Sequence, residues 1–308
     1  MKILIAYDGS SCADAALDDL RYAGLPRVAE ARILSVADVV LPPPLRPESE
    51  VPDLVPPMVQ RAWNLATQAV EEAHALALQA RDQGLTSFPD WDMRAESCAD
   101  SPAWAVIKKA DAWQPDLVVV GSHGRSALER LFLGSVSHKI LTAAQCSVRI
   151  GRSRNQTAET PLRLLLGVDG SPDAQAAVCA VAGREWPAGS AVRLVTVLNT
   201  GMFTALAFKP PEAWATTGVE EAQAWVPRMV EAMAEPLRAR GLSVSSVLKE
   251  GDPKQGLLDE AAHWGADCLF VGARGLSRIE RFLIGSVSAA VAARAHCSVE
   301  VVRPRQTP

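Results

Sequence analysis

Short apolar runs alternate along the chain with longer stretches in which apolar residues recur every three or four positions. The runs have the length of buried strands and the stretches have helical periodicity. In the first half this pattern predicts strands over 2–7, 31–37, 91–96, 116–121 and 147–150. Helices are predicted over 11–23, 58–83, 102–113 and 135–145, with a long loop ahead of the second. The second half repeats the order, with strands near 163–168, 191–198, 243–249, 267–272 and 298–302. Strictly alternating strands and helices call for a parallel sheet covered on both faces by right-handed crossovers. The class is therefore α/β.

The repetition extends to spelling. Lys2 to Ser10 (KILIAYDGS) matches Arg163 to Ser171 (RLLLGVDGS) at an offset of 161. Leu131 to Ser137 matches Phe282 to Ser288, and Cys146-Ser147-Val148 matches Cys297-Ser298-Val299, both at an offset of 151. The difference falls in mid-domain, where the first half carries the proline-rich stretch from Leu41 to Pro47 and then Pro56-Pro57. One unit is written twice. The expected organisation is a first domain over 1–151, a polar linker over 152–161 and a second domain over 162–304.

Composition narrows the class further. At 308 residues the chain has room for two domains, and 48% hydrophobic with 21% charged residues excludes wholesale disorder. A formal charge of −4 offers no footprint for broad nucleic-acid binding. No run approaches the roughly 20 apolar residues that span a bilayer, and the opening apolar run is too short for a secretory segment. The six cysteines form no CxxC pair, which argues against a zinc site or a disulfide framework. A cytoplasmic setting is expected, with no membrane and no nucleic-acid partner.

The chemistry concentrates at two glycine loops. Gly121 and Gly124, nine further residues, then Gly134-Ser135 follow the strand from Leu117 to Val120. Gly272, Gly275, nine residues, then Gly285-Ser286 follow Leu269 to Val271. Glycines at a strand end let backbone amides approach an anion without Cβ interference, and the following helix N-terminus favours phosphate. A serine after the last glycine is expected to cap that helix. Asp8 and Asp169 end the first strand of each half. If the first and fourth strands are neighbours, each acid faces a glycine loop across one crevice at the strands' carboxyl ends. Capping of the next helix by the same aspartates remains an open alternative. Trp113 and Trp264 occupy equivalent positions and read as structural, Cys146 and Cys297 as small packing residues, and Cys98 as an ordinary thiol.

These residues resemble the universal stress protein family in its tandem form. The family's Gly-x2-Gly-x9-Gly-(Ser/Thr) signature is met twice, each time followed by a Val-Ser pair, Val136-Ser137 and Val287-Ser288. The resemblance implies two Rossmann-like, five-stranded α/β sandwiches of the adenine nucleotide alpha hydrolase kind, forming an internal pseudo-dimer through their last strands. It also implies ATP or a related adenine nucleotide as ligand, with magnesium. Asp8 and Asp169 would contact the base, with Ala6, Tyr7, Gly167 and Val168 on the same rim and Val36 and Val197 contributing from the second strands. Gly121, Gly124, Gly134, Ser135, Val136 and Ser137 would surround ribose and phosphates in one half. Gly272, Gly275, Gly285, Ser286, Val287 and Ser288 would do so in the other. The function implied is a stress-response regulatory or protective module, with self-association of the tandem chain and protein partners of unspecified kind. A nucleotide-free scaffold and a slow ATPase are the alternatives; the GxxxxGK[ST] loop of a P-loop enzyme is absent. One departure stands out. Glu250-Gly251-Asp252-Pro253 keeps a glycine after the third strand, where the first half reads Glu96 to Pro102, longer and without one.

Overall fold

A computed structural model of the chain describes residues 1–39, 57–124, 133–154, 161–198, 219–276 and 284–304. The proline-rich stretch from Leu41 to Pro47 and the middle of both glycine loops lie outside the described residues. The first half runs β1 (Lys2–Ala6), α1 (Ser11–Asp19), β2 (Glu30–Ala37), α2 (Pro57–Ser87) and β3 (Asp92–Ala99). It continues through α3 (Pro102–Trp113), β4 (Leu117–Gly121), α4 (Ser135–Ala143) and β5 (Ser147–Gly151). The second half runs β6 (Arg163–Gly167), α5 (Pro172–Ala182), β7 (Ala191–Leu198), α6 (Val219–Arg238) and β8 (Ser243–Glu250). It closes with α7 (Pro253–Trp264), β9 (Cys268–Gly272), α8 (Ser286–Arg294) and β10 (Ser298–Val302).

The strands form one sheet in the order β3-β2-β1-β4-β5-β10-β9-β6-β7-β8. Pairing is parallel within each half and antiparallel only between β5 and β10. The pseudo-dimer is therefore a single continuous sheet with a pseudo-twofold axis at its centre. β4 and β9 are buried along their whole length, as parallel strands covered on both faces must be. One face carries a core shared by both halves, in which Val106 and Ile140 of one belong to the same cluster as Leu257 and Val291 of the other. The opposite face holds a separate core under α1 and α2 and another under α5 and α6. No helix among the described residues is long and apolar enough to cross a membrane.

Two details depart from expectation. The helix predicted over 11–23 ends at Asp19 and passes through a 3-10 turn, Leu20–Tyr22. Gly24, at φ +62°, then brings its backbone against Trp186 and accepts a hydrogen bond from the Glu185 amide of the other half. The third-strand segment of the first half is not longer than its twin. β3 and β8 both have eight residues, and Asp100 stands where Gly251 does, each amide donating to the carbonyl that ends the neighbouring strand. The chain just beyond β5 and β10 is packed. Arg152 donates to the carbonyls of Cys297 and Ala292 at the end of α8, and Arg303 donates to Cys146 and Leu141 at the end of α4. Each half thus supplies a cation to the helix C-terminus of the other, where carbonyls lack partners and the helix dipole favours positive charge.

Candidate functional site

β1 pairs with β4, and β6 with β9. That adjacency brings each strand-end aspartate opposite its glycine loop. A Cβ added at Gly275 would lie 2.8 Å from Asp169 Oδ2, and one at Gly124 would lie 2.9 Å from Asp8 Oδ2. Acid and glycine face each other at closest approach in both halves.

The capping alternative resolves against the aspartates. Ser10 and Ser171 are the caps of α1 and α5, accepting from the amides of Ala13 and Ala174 at 3.2 Å. Asp8 Oδ1 and Asp169 Oδ1 instead accept from the amides of Ser10 and Ser171, at 3.0 and 2.9 Å. Those short turns need Gly9 and Gly170 at φ +75° and +81°. Each turn pins one carboxylate oxygen and aims the other across the crevice.

The expectation that Ser135 and Ser286 cap the loop helices is corrected. They are the first helical residues, and the cap positions belong to Gly134 and Gly285, which have no side chain to offer. The Gly134 and Gly285 amides donate back to Ser122 and Ala273 carbonyls at 2.8 and 2.7 Å. No capping side chain meets the amides of the following first turn, and such helix-start amides are the kind that could receive an anion. Ser137 and Ser288 are buried, and their hydroxyls donate to the carbonyls of Gly121 and Gly272 at 2.7 and 2.6 Å. They tie each helix start to the strand end it follows.

The glycines also divide by role. A Cβ at Gly121 would strike the Cys12 carbonyl at 2.7 Å, and one at Gly272 would meet the Asp173 carbonyl carbon at 2.6 Å. These two let a strand pass tightly beneath α1 or α5. Gly124 and Gly275 leave room for the acid.

In the second half these parts enclose a crevice of about 360 Å³. Its walls include Gly167, Val168, Asp169 and Val197, together with Gly272, Gly275, Gly285, Ser286, Val287 and Ser288. All ten second-half residues singled out in the sequence line this one crevice. Val195, Leu257, Val271 and Pro253 add an apolar wall that sequence reasoning missed. Those four sit on β7, α7 and β9, and nothing but the strand order marks them as neighbours.

Arg274, between the two loop glycines, also lines the crevice. Its Nε and Nη2 donate to Asp173 Oδ2 and Oδ1 at 3.0 and 3.2 Å, so a fixed cation stands at the rim. The equivalent pair in the first half is His123 and Cys12. His123 Nδ1 lies 3.1 Å from Ser122 Oγ, and burial, reinforced by Arg152, pushes its pKa below the ordinary value. At neutral pH the first loop therefore presents an uncharged imidazole where the second presents a guanidinium.

Ala6 and Val36 pack against the shared core at the ends of β1 and β2. The Tyr7 side chain is buried beneath α1, its hydroxyl donating to Asp14 at 2.5 Å. Ser135 and Val136 are exposed at the start of α4. Trp113 and Trp264 lie under Arg32 and Arg193, ring to guanidinium at 4.4 and 4.5 Å, and Trp264 does not line the second-half crevice. Burial raises the Cys146 and Cys297 thiols to about 11 and raises Cys98 as well, so all three stay protonated. Among the described residues no group of three His, Cys, Asp or Glu side chains could hold a metal ion.

Comparison with known proteins finds matches to both halves of the chain. The model of the universal stress protein family matches residues 1–152 and again 162–303. A universal stress protein of Mycolicibacterium smegmatis is 28% identical over 249 residues, 80% of this chain and 76% of that protein. One from Mycobacterium tuberculosis is 31% identical over 202 residues, 62% of each chain. Among solved structures, the crystal structure of a universal stress protein from Archaeoglobus fulgidus has a TM-score of 0.63 at 18% identity, covering 98% of both chains. A functionally unknown protein from Pseudomonas aeruginosa has a TM-score of 0.60 at 16% identity, covering 98% of this chain and 92% of that one. At such identities the two structures speak for the fold.

Proposed function

The chain belongs to the universal stress protein family, and we propose that its second-half crevice binds an adenine nucleotide, ATP or a close relative. One observation carries this reading: the ten residues selected for nucleotide contact converge on a single cavity, with Asp169 facing Gly275. The volume falls within the usual range for small-molecule sites, about 300–1,000 Å³. Asp169 supplies an acceptor for the exocyclic amino group of the base. The apolar wall of Val195, Val197 and Leu257 offers a dry surface for a ring. The uncapped first turn of α8 and the Arg274 guanidinium favour phosphate.

Each hydrogen bond contributes about 0.5–1.5 kcal/mol net, and an anion at a helix N-terminus about 0.3–1 kcal/mol. Several together reach micromolar affinity, about −8.2 kcal/mol. The first half has the same acid-to-glycine geometry and is proposed as a second site built from Ala6, Tyr7, Asp8, Val36, Gly121, Gly124 and Gly134 through Ser137. It carries His123 at the position where the second half carries the Arg274 guanidinium, and on that ground it ranks below the second. Magnesium in this reading travels with the phosphates, since such ions are held largely by substrate oxygens and a carboxylate or two.

The molecule so described is a nucleotide-responsive binding module rather than a dedicated catalyst. Its nucleotide state would bias self-association of the tandem chain or its choice of protein partner in a stress response. Protein purified without added ligand should release an adenine nucleotide on denaturation, or show an ATP-dependent rise in unfolding temperature. An empty preparation with no thermal shift rejects the proposal and leaves a scaffold that acts through its surfaces. Single-turnover hydrolysis, with Asp8→Ala and Asp169→Ala as controls, distinguishes binding from slow turnover.

A further inference from the structure

The pseudo-twofold axis passes through a charged pair. In the antiparallel register of β5 and β10, Arg149 stands directly opposite Glu300, flanked by Ile150 with Val299 and Val148 with Val301. At the repeat offset of 151, Arg149 and Glu300 are equivalent positions, and they carry opposite charges. Neither exposes any surface to solvent.

The pair belongs to a chain of four. Arg149 Nε and Nη2 donate to Asp19 at 2.6 and 3.2 Å, and Nη1 reaches Glu300 Oε2 at 3.3 Å. Glu300 in turn accepts from both terminal nitrogens of Arg184, at 2.8 and 2.5 Å. Ser298 Oγ donates to Asp19, and Cys268 Sγ accepts from Arg149 Nη1 at 3.3 Å. Burial disfavours all these charges. Even so, Asp19 and Glu300 hold the Arg149 pKa above its ordinary value, and Arg184 and Arg149 hold the Glu300 carboxyl below its own. Charges alternate along the row and sum to zero.

None of the four has a like counterpart in the other half. The repeat places Ala180 where Asp19 stands, Ala23 where Arg184 stands and Leu117 where Cys268 stands. We propose that this buried Asp19–Arg149–Glu300–Arg184 row is a recognition code that makes the β5 edge accept only a β10 edge. Each half then takes the unlike half as partner and rejects a copy of itself. Two first halves joined in the same register would set Arg149 against Arg149, with Leu117 in place of the sulfur acceptor. Two second halves would set Glu300 against Glu300. Like charges directly opposite across an antiparallel pair are destabilising, and more so where no water screens them. A buried ion row is weak evidence for stability but a credible device for choosing a partner.

The test uses the full chain, with a protease site substituted within 155–160 and cleaved after folding. The clipped protein is unfolded in urea, refolded, and its pairs are identified by native mass spectrometry. Chance pairing would give about one like pair in two, and the proposal expects fewer than about one in ten. The same measurement on Asp19→Ala, Arg149→Met, Arg184→Ala and Glu300→Met combined removes every charge and gives Asp19 and Arg184 the alanine of their twins. Like pairs should then rise toward chance. Wild-type pairing at chance overturns the proposal, as does failure of unlike halves to re-pair, or a charge-free variant that pairs as selectively as wild type. If the variant does not refold, the wild-type arm decides alone. None of these outcomes depends on nucleotide binding.

Discussion

Asp169 and the glycines around it divide labour that the motif spelling does not separate. Gly275 gives room to Asp169, whereas Gly272 gives room to the backbone of α5. Alanine at the two positions should therefore fail differently. Gly275→Ala sets a methyl 2.8 Å from Asp169 Oδ2 and displaces the carboxylate. ATP affinity by calorimetry should fall about tenfold, the worth of one good hydrogen bond, with little change in unfolding temperature. Gly272→Ala sets its methyl 2.6 Å from a carbonyl carbon that cannot step aside. Chemical denaturation should then show about 1–3 kcal/mol of lost stability, as overpacking does. The spacing of these glycines was legible from sequence. Their separate duties were not, because the atoms that decide them belong to residues about a hundred positions away in the chain.

Helix starts and ends carry the next level of information. Ser10 and Ser171 could be read as part of an Asp-Gly-Ser turn, but whether the acid or the serine capped the helix depended on backbone angles at the glycine. With the serine as cap, Ser171→Ala should cost about 0.5–2 kcal/mol in a urea melt and leave the Asp169 carboxylate in place. Period and apolar runs located most strand and helix ends to within a residue or two. The early end of α1 was hidden: its last residue, Asp19, is a buried acid whose partner, Arg149, lies on a strand 130 residues later. The crossed arginines were hidden for the same reason. Arg152→Met should expose two carbonyls at the end of α8 and lower stability by about 1–3 kcal/mol, read in the same melt.

At the scale of the whole molecule, duplication made the architecture readable: ten strands in two sets of five, joined through the last of each. What a repeat cannot display is asymmetry across its own axis, since Arg149 and Glu300 look like ordinary divergence until the register sets them face to face. That row also fixes an acid dependence. Despite the cost of burial, arginines hold the Glu300 carboxyl below the ordinary 4.5, and Lys249 and Arg193 hold Glu260 below it. The folded state therefore binds fewer protons than the unfolded one near that pH, and the stability these groups confer is lost as pH falls through their folded values. Unfolding temperature should drop steeply from about pH 5 to about pH 3, and a flat profile there would contradict the buried pairs. The central claim concerns the crevices. It is tested most directly by calorimetric titration of ATP into wild type and into the Gly134→Val, Gly285→Val double variant, whose added side chains crowd the helix starts. Micromolar binding by wild type and none by the folded variant is the predicted result. Equal affinity and stoichiometry in the two proteins would contradict the account.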